Sequence, residues 1–347
     1  MKDLIYKIVR GSLKGLLHLY FGKIIVKGQE NVPKNKAVLY LSNHQNAFLD
    51  TILIGTDCGR NPFFLTRASV FKNRILKSIF TYFKMIPIYR IRDGISLLKN
   101  NEETFRACSQ LLIAKEALVI FPEGNHHLKR RVRPLSKGFT RILFAALEQQ
   151  SCLDIYLVPV GVNYRSATKF PDRAAIYYGK PIRIQEFYRP ENLQETKNIV
   201  IKKVSDALKT LTTHIENDEE YDVIISKLVT FHTDFLHPEK VNTSLMNLAK
   251  ITKIPEITIT KNLFNTLSEI IFFTLNLPVV LLWRQQFKPK IKEQEFISTF
   301  RFAFSAAIFP IYYLVLFVLF SFLWNMTLAL LLIAIIFSFN LVYTKLS

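Results

Sequence analysis

Short apolar runs alternate with amphipathic segments between residues 23 and 185. The runs have the length of buried β-strands, whereas the longer segments repeat apolar positions every three or four residues, as helices do. The predicted strands are 23–27, 37–41, 63–65, 117–121, 155–162 and 174–178, and the predicted helices are 47–56, 68–83, 95–114 and 137–149. This alternation indicates an α/β domain with a mixed, largely parallel sheet flanked by helices.

Residues 1–22 have a different, amphipathic pattern. Apolar side chains recur at helical spacing from Leu4 to Phe21, basic residues surround this stripe, and Asp3 is the only acid. Such a basic amphipathic helix is typical of a segment that lies on an anionic membrane. A helix that packs on the domain core would show the same stripe, so both interpretations remain open.

The C-terminal part of the chain is strongly apolar. No charged residue occurs in the 43 positions from Phe302 to Thr344, and one membrane span needs about 20 residues. We therefore predict a transmembrane hairpin over 302–344 that turns near 324–327, with a further candidate span at 264–283. The basic residues between these segments, among them Lys288, Lys290 and Arg301, predict an integral membrane protein with its active site at the cytoplasmic face.

The net charge of +19 over 347 residues indicates an anionic partner. Membrane lipid, nucleic acid or a phosphorylated substrate would each fit this charge. A nucleic-acid partner is not expected, because few aromatic residues are interleaved with the basic ones between Lys129 and Arg141. The predicted units are the amphipathic helix 1–22, an α/β domain over 23–195, a helical extension over 196–262 and membrane segments over 263–347.

A histidine follows the predicted strand 37–41 and precedes the helix that starts near residue 47. His44 can accept a proton from a hydroxyl near neutral pH, and Asp50 is the nearest acid in the sequence. If Asn46 caps the helix, Asp50 lies in its first turn, where it can meet a histidine that precedes the helix. An ordinary capped core helix beside a loop histidine remains the alternative.

Two further clusters follow strand-like segments. Arg90 and Arg92 offer guanidinium groups that can bind phosphate as a fork, although surface ion pairs would use the same residues. Glu123 can accept a hydrogen bond from a substrate hydroxyl, and Gly124 permits a close backbone approach. The adjacent His126 and His127 lack the spacing of metal ligands, so we predict no metal site.

Together with residues 157–164, these clusters resemble the phospholipid/glycerol acyltransferase superfamily, which includes lysophosphatidic acid acyltransferases. The resemblance covers residues 36–184. It departs from the usual pattern in two places: five residues rather than four separate His44 from Asp50, and Asn125-His126 replaces the usual Thr-Arg. The resemblance implies that His44 is the catalytic base and that Asp50 orients it. It implies substrate-binding roles for Asn43, Arg90, Arg92, Glu123 and Gly124.

The implied reaction transfers a fatty acyl group from a thioester, either acyl-coenzyme A or acyl carrier protein, to a hydroxyl of a glycerophosphate-type acceptor. The foremost acceptor is 1-acylglycerol 3-phosphate, which would give phosphatidic acid, and no metal or other cofactor is expected. Glycerol 3-phosphate, another lysophospholipid or an amino-acid lipid would suit the same base. A non-catalytic membrane or lipid-binding protein is the alternative from a different class.

Overall fold

The computed structural model describes residues 2–89, 99–248 and 263–346, and within them eight strands form one sheet in the order β1-β7-β6-β2-β5-β3-β4, with β8 beside β6. The strands are β1 Phe21–Lys27, β2 Ala37–Ser42, β3 Phe63–Arg67, β4 Met85–Ile88, β5 Ala117–Ile120, β6 Ile155–Tyr164, β7 Asp172–Tyr178 and β8 Ile182–Arg183. Strand β6 pairs antiparallel with β7 and β8, and the other pairs are parallel. The predicted mixed, largely parallel sheet is confirmed.

The described helices flank this sheet or follow it in the chain. They are α1 Lys2–Tyr20, α2 Ala47–Asp57, α3 Arg74–Tyr82, α4 Asn101–Ile113, α5 Gly138–Gln149, α6 Leu193–Leu211, α7 Tyr221–Thr230, α8 Pro238–Leu248, α9 Leu263–Leu275, α10 Leu277–Leu282, α11 Ile297–Leu323 and α12 Met326–Leu346.

Alternate residues of the central strands supply two hydrophobic cores. Val38 and Tyr40 of β2 face the core that includes residues of α1 and α2, whereas Leu39 and Leu41 face the core built from α4, α5 and α6. Because side chains alternate along a strand, a strand buried on both faces reads as an unbroken apolar run. This places β2 in the middle of three layers, and the residues that follow it at the edge of the sheet.

The N-terminal helix combines the two interpretations that its sequence allows. Leu17 and Tyr20 are buried in the core, while Leu4, Ile5 and Ile8 in the first half of α1 are exposed. The helix also ends earlier than predicted, at Tyr20, because the next two residues begin β1 and pair with β7. The apolar stripe therefore serves domain packing at one end and leaves an uncovered apolar face at the other.

The predicted boundary between residues 195 and 196 needs correction. Helix α6 runs through it without a break, and Val200, Val204 and Leu208 are completely buried in the core shared with α4 and α5. The sequence interpretation failed because α6 is charged on its exposed face, which resembled the more polar segments that follow. Residues 196–211 thus belong to the α/β unit.

Two of the described helical segments are long and apolar enough to cross a membrane. They are Gln294–Leu323, which is a short 3-10 turn followed by α11, and Met326–Leu346, which is α12. They form the predicted hairpin, whose turn lies at Trp324 and Asn325. The third predicted segment, 264–283, is not one straight span, because α9 and the helical segment after it meet at an angle of 85°. Pro278 at the start of α10 and the buried Asn276 before it mark the bend.

The base of the hairpin is attached to the α/β unit. The Ser298 hydroxyl donates to the Ala167 carbonyl at 2.6 Å, and the Lys345 ammonium donates to the carbonyls of His18 and Phe21 at 2.6 and 3.0 Å. Phe302, in the second turn of α11, is buried in the core of α1 and α2. Both ends of the hairpin therefore lie on the domain.

Candidate active site

The loop between β2 and α2 lies at the carboxyl end of a central strand. Strand β2 ends at Ser42 and α2 begins at Ala47, so Asn43 to Asn46 form the connection, and β5 delivers Phe121 to Glu123 beside it through its pairing with β2. In open α/β sheets, binding and catalytic groups collect at the carboxyl ends of the strands. The structure thus brings the predicted clusters at residues 44 and 123 to the same edge of the sheet.

His44 and Asp50 are in direct contact. His44 Nδ1 lies 2.8 Å from Asp50 Oδ2, and the His44 side chain keeps 15% of its surface exposed, whereas Asp50 is completely buried. An ionised carboxylate can only accept, so Nδ1 carries the proton and Nε2 is left free to accept one. The predicted pairing is therefore present, despite the unusual spacing of the two residues.

Asp50 receives four hydrogen bonds from the described residues. Its Oδ2 also accepts from the backbone N–H groups of Gln45 and Asn46, at 2.9 and 2.8 Å, and its Oδ1 accepts from the Tyr164 hydroxyl at 2.6 Å. Burial, with the Asp50 carboxylate beside it, holds the pKa of Tyr164 well above its usual value, so this hydroxyl stays protonated. These contacts hold the Asp50 carboxylate in the position from which it binds His44.

The side chain of Asn46 does not cap α2 as predicted. It occupies the N-cap position without a capping hydrogen bond, and its amide instead donates to the Ala167 carbonyl at 3.0 Å. The Asp50 carboxylate, one turn into the helix, binds the two N–H groups that precede it. The helix start is therefore stabilised by the residue that also holds His44.

Asn43 has a structural contact in place of a free amide. Its Oδ1 accepts from the Val162 N–H at 2.8 Å and its Nδ2 donates to the Val162 carbonyl at 2.9 Å. Strand β6 continues past the end of β2, and the Asn43 amide continues the pairing there as a peptide group would. These contacts position the loop of His44, and the predicted substrate-binding role of Asn43 stays a prediction.

Two aromatic rings lie against the His44 ring. It stacks on Phe121 with ring centroids 4.0 Å apart, and His126 lies edge-on at 5.7 Å. The His44 carbonyl accepts from the His127 N–H at 3.0 Å, which ties the two loops together. The imidazole can therefore turn little without breaking its bond to Asp50.

Glu123 is engaged by an arginine ten residues later in the chain. Its Oε2 accepts from Arg133 Nε and Nη2 at 3.0 and 2.5 Å, and its side chain is only 3% exposed. Burial raises the pKa of the Glu123 carboxyl, although the Arg133 guanidinium counteracts this. Glu123 therefore anchors the loop that follows β5. The sequence instead predicted a carboxylate that is free to accept a hydrogen bond from a substrate hydroxyl. Gly124 has φ 77°, a value that favours glycine.

Arg90 and Arg92 lie outside the described residues, so their predicted phosphate contacts stay predictions. The basic stretch after Glu123 is described, and two of its members share one carboxylate: Lys129 Nζ and Arg131 Nη1 lie 2.8 and 3.3 Å from Asp218 Oδ1.

A cavity beside His44 is lined by Asn43, His44, Gln45, Glu123, His127, Lys129, Arg130, Arg131, Val162, Asn163, Thr212 and Thr213.

One group of side chains near the site has ligand atoms close enough for a cation. His126, Glu293 and Glu295 bring theirs within 4.8 Å of one another. His126 Nε2 is 2.7 Å from Glu293 Oε2, and the His126 ring also meets Phe296 edge-on at 4.8 Å. We interpret these contacts as docking of the segment before α11 onto the loop of His126, and assign no metal there.

Sequence reasoning missed Tyr164 and the segment at residues 212–213. Tyr164 ends the strand quoted as a core strand, and its role depends on Asp50, which lies 114 residues away. Thr212 and Thr213 follow a helix that the sequence assigned to a separate extension. The sequence contains one indication for Tyr164, which is its position at the end of a buried strand, where a hydroxyl needs a hydrogen-bond partner. It does not indicate which residue that partner is.

Comparisons with known proteins match the chain to acyltransferases. A family model described as Acyltransferase matches residues 23–163. The chain is 26% identical over 242 residues to glycerol-3-phosphate O-acyltransferase 2 of Saccharomyces cerevisiae, which covers 66% of this chain and 31% of the relative. It is 26% identical over 121 residues to glycerol-3-phosphate O-acyltransferase 1 of the same yeast, which covers 33% of this chain and 16% of the relative.

The chain thus spans about a third or less of the length of these curated relatives. Among solved structures, it resembles the 1-acyl-sn-glycerophosphate (LPA) acyltransferase PlsC from Thermotoga maritima, with 18% identity and a TM-score of 0.42 over 60% of this chain and 81% of that chain. The matched segment 23–163 contains β2, the His44 loop and the Glu123 loop. Residues 23–163 are thus similar to the Acyltransferase family, in agreement with the resemblance to the phospholipid/glycerol acyltransferase superfamily expected from the sequence.

Proposed function

We propose that the chain transfers an acyl group from a thioester donor to a hydroxyl of a glycerol phosphate. The observation that carries this proposal is the contact between His44 Nδ1 and Asp50 Oδ2 at the carboxyl end of β2. The proton on Nδ1 leaves Nε2 as the base, and the buried carboxylate stabilises the imidazolium that forms. The names of the two yeast relatives support an acceptor of this class.

In the proposed step, His44 Nε2 takes the proton of the acceptor hydroxyl while its oxygen attacks the thioester carbonyl carbon. The carbon–sulfur bond then breaks, and the imidazolium returns the proton to the leaving thiolate. The products are an ester and a free thiol. The substrate oxygen is the nucleophile, so the step needs no covalent enzyme intermediate, and the reaction involves no change of oxidation state.

Among the acceptors that the sequence allows, two glycerol phosphates are favoured. The proposal commits to 1-acylglycerol 3-phosphate, whose product is phosphatidic acid, because the apolar C-terminal helices bring the site to lipid. Glycerol 3-phosphate is the second candidate, favoured by the names of the yeast relatives. The donor is acyl-coenzyme A or acyl carrier protein, and both present the same thioester to His44.

A panel assay tests this function. Purified full-length protein is given each donor with glycerol 3-phosphate, 1-acylglycerol 3-phosphate, a neutral lysophospholipid or an amino-acid lipid, and products are read by mass spectrometry. We expect an acylated glycerol phosphate that depends on the thioester and is lost in His44→Ala. Product with only the acceptors that carry no phosphate monoester would contradict the proposed acceptor class. No product with any donor would contradict acyl transfer and favour a non-catalytic lipid-binding protein.

We further propose that the protein is integral to the membrane, with the site at the cytoplasmic face. The basic residues Arg284, Lys288, Lys290 and Lys292 precede α11, on the side of the hairpin that carries the domain. Positive residues are retained on the cytoplasmic side of short membrane hairpins. The exposed apolar half of α1 would rest on the same lipid surface, as would Ile75, exposed on α3 beside Arg74.

Cysteine labelling in intact cells checks this orientation. Cys152 is exposed on the α/β unit, whereas Cys58 and Cys108 are buried. In an Asn325→Cys variant, we expect a membrane-impermeant maleimide to label the hairpin turn from outside, and Cys152 only after lysis. A Cys152→Ser background isolates the turn. Labelling of Cys152 in intact cells would place the site on the opposite face.

A further inference from the structure

The cavity beside His44 contains one cation that differs from its neighbours. Lys129 and Arg131 share Asp218, and Arg133, which follows in the chain, is bound to Glu123. Among the described residues, by contrast, no carboxylate lies within ion-pair distance of Arg130. Its guanidinium packs on the Phe235 ring, 3.7 Å from the centroid, and donates one hydrogen bond to the Arg165 carbonyl at 2.9 Å.

The surroundings of Arg130 make this charge costly. Burial lowers its pKa to about 10, and the nearby Tyr221 and Asp172 offset this effect only in part. Charged groups in protein interiors are normally paired, because an unpaired charge loses its hydration and gains no ion pair or hydrogen bond that offsets the loss. A guanidinium has five N–H donors, and most of those on Arg130 have no partner in the described protein. These N–H donors of the partly buried Arg130 are therefore available to an anionic group that enters the cavity.

A second group in the same cavity is also unsatisfied. Thr213 is only 2% exposed, and its hydroxyl has no hydrogen-bond partner among the described residues. The neighbouring Thr212 differs, since its hydroxyl donates to the Leu208 carbonyl at 2.8 Å. A buried hydroxyl without a partner is uncommon in folded proteins and calls for an explanation. Here the hydroxyl lines the same cavity as Arg130.

Hydrogen bonds join the loop that contains Arg130 to the segment that contains Thr213. The Ile215 N–H donates to the Arg130 carbonyl at 3.0 Å, and the Val132 N–H donates to His214 Nδ1 at 3.0 Å. The Arg130 N–H in turn donates to the Tyr221 hydroxyl at 2.8 Å. The segment after α6 is thereby joined to the basic loop, so the unsatisfied donors are built into the fold and do not depend on a mobile surface chain.

We propose that Arg130 and Thr213 bind the phosphoryl group of the acceptor, a proposal that rests on the acyl transfer proposed above. A phosphate monoester has acceptor oxygens for both the guanidinium and the hydroxyl, and arginine matches its geometry in a forked arrangement. Thr213 lies beyond the segment matched by the family model, which ends at residue 163. The acceptor site of this chain would thus include a residue from outside the segment that the family model matches.

A phosphoryl group could also come from the nucleotide of an acyl-coenzyme A donor, and we commit to the acceptor. His44 lines the same cavity, and in a glycerol phosphate the reacting hydroxyl and the phosphate belong to one small molecule. In acyl-coenzyme A, the whole pantetheine arm separates the thioester from the phosphates. A cavity that holds both the base and the anion site therefore suits the acceptor.

Steady-state kinetics on the purified full-length protein tests the assignment. Thr213→Val removes only the hydroxyl, and we expect it to raise the acceptor KM about 10- to 150-fold, the range of one hydrogen bond to a charged group. The kcat and the donor KM should change little, because the phosphate is remote from the reacting bond. Arg130→Lys keeps the charge, loses the fork and should also raise the acceptor KM.

Thr210→Val is the matched control, because Thr210 is an exposed threonine on α6 whose hydroxyl donates to the Ala207 carbonyl. It should behave as wild type. An unchanged acceptor KM in Thr213→Val, or a change confined to the donor KM, would overturn the assignment. If Arg90→Ala alone raised the acceptor KM, the phosphate would be bound by Arg90 without the groups proposed here.

Calorimetric titration with glycerol 3-phosphate separates this inference from the proposed function. We expect wild type to bind it, Thr213→Val to bind it more weakly by the same factor, and free coenzyme A to bind both proteins equally. Equal binding of glycerol 3-phosphate to both proteins would overturn the pocket while leaving acyl transfer intact. Weakened binding in a protein without acyl transfer would retain the pocket and refute the function.

Discussion

Replacing His44 by alanine is expected to lower the kcat of acyl transfer by about 10²- to 10⁴-fold, the usual contribution of a general base. The loss falls on kcat because proton removal occurs in the transition state and contributes little to substrate binding. Initial rates at saturating donor and acceptor measure it. Added imidazole should restore part of the rate in the variant, since it can enter the space that the side chain leaves.

His18→Ala is the control for this experiment, since His18 is an exposed histidine on α1 whose backbone carbonyl, rather than its side chain, binds Lys345. It should retain full activity. A His44→Ala protein with near-normal kcat would refute the mechanism, because no other described imidazole has a buried carboxylate on Nδ1. The contact of His44 with Asp50 would then be structural alone.

Replacing Asp50 by alanine should have the largest effect on stability. The change leaves four donors without their acceptor: the His44 ring, the N–H groups of Gln45 and Asn46, and the Tyr164 hydroxyl. Removing one partner of a buried charged contact typically lowers the free energy of unfolding by about 3–5 kcal/mol. We expect a clear fall in the thermal midpoint of the purified protein, together with a loss of kcat.

Asp50→Asn separates the charge from the packing. Its amide oxygen can accept from the three groups now on Oδ2, and its NH₂ can donate to the Tyr164 hydroxyl oxygen if that hydroxyl turns. We therefore expect a thermal midpoint closer to wild type, but a kcat that stays low because the imidazolium has lost its negative partner. An Asp50→Ala protein as stable as Asp50→Asn would show that the four hydrogen bonds contribute little.

The His44 site was predictable because its signals are local. The apolar run before it fixes β2, and the position of Asn46 predicts that His44 precedes the helix while Asp50 lies inside it. Even there the detail differed, since the Asp50 carboxylate rather than the Asn46 side chain binds the N–H groups at the helix start. Periodicity predicts that an element exists, but it does not choose between two polar residues that compete for the same donors.

The remaining contacts of the site join residues far apart in the chain. Asn43 binds Val162 across 119 residues, and Tyr164 binds Asp50 across 114. The pairing of Glu123 with Arg133 spans only ten residues, but it lies in a loop, where no repeating pattern relates positions. Such contacts depend on the order of strands in the sheet, and neither hydrophobic pattern nor motif spacing contains that order.

Attachment of the hairpin to the domain has a consequence for biogenesis. The Ser298 hydroxyl donates to the Ala167 carbonyl across 131 residues, and the same carbonyl accepts from the side-chain amide of Asn46, in the loop of His44. A ribosome must therefore deliver α11 before this layer of contacts can close. The contacts around Ala167 close only when the hairpin is in place, so chains that fail to insert would leave Phe302 and its core neighbours open to chaperones and proteases.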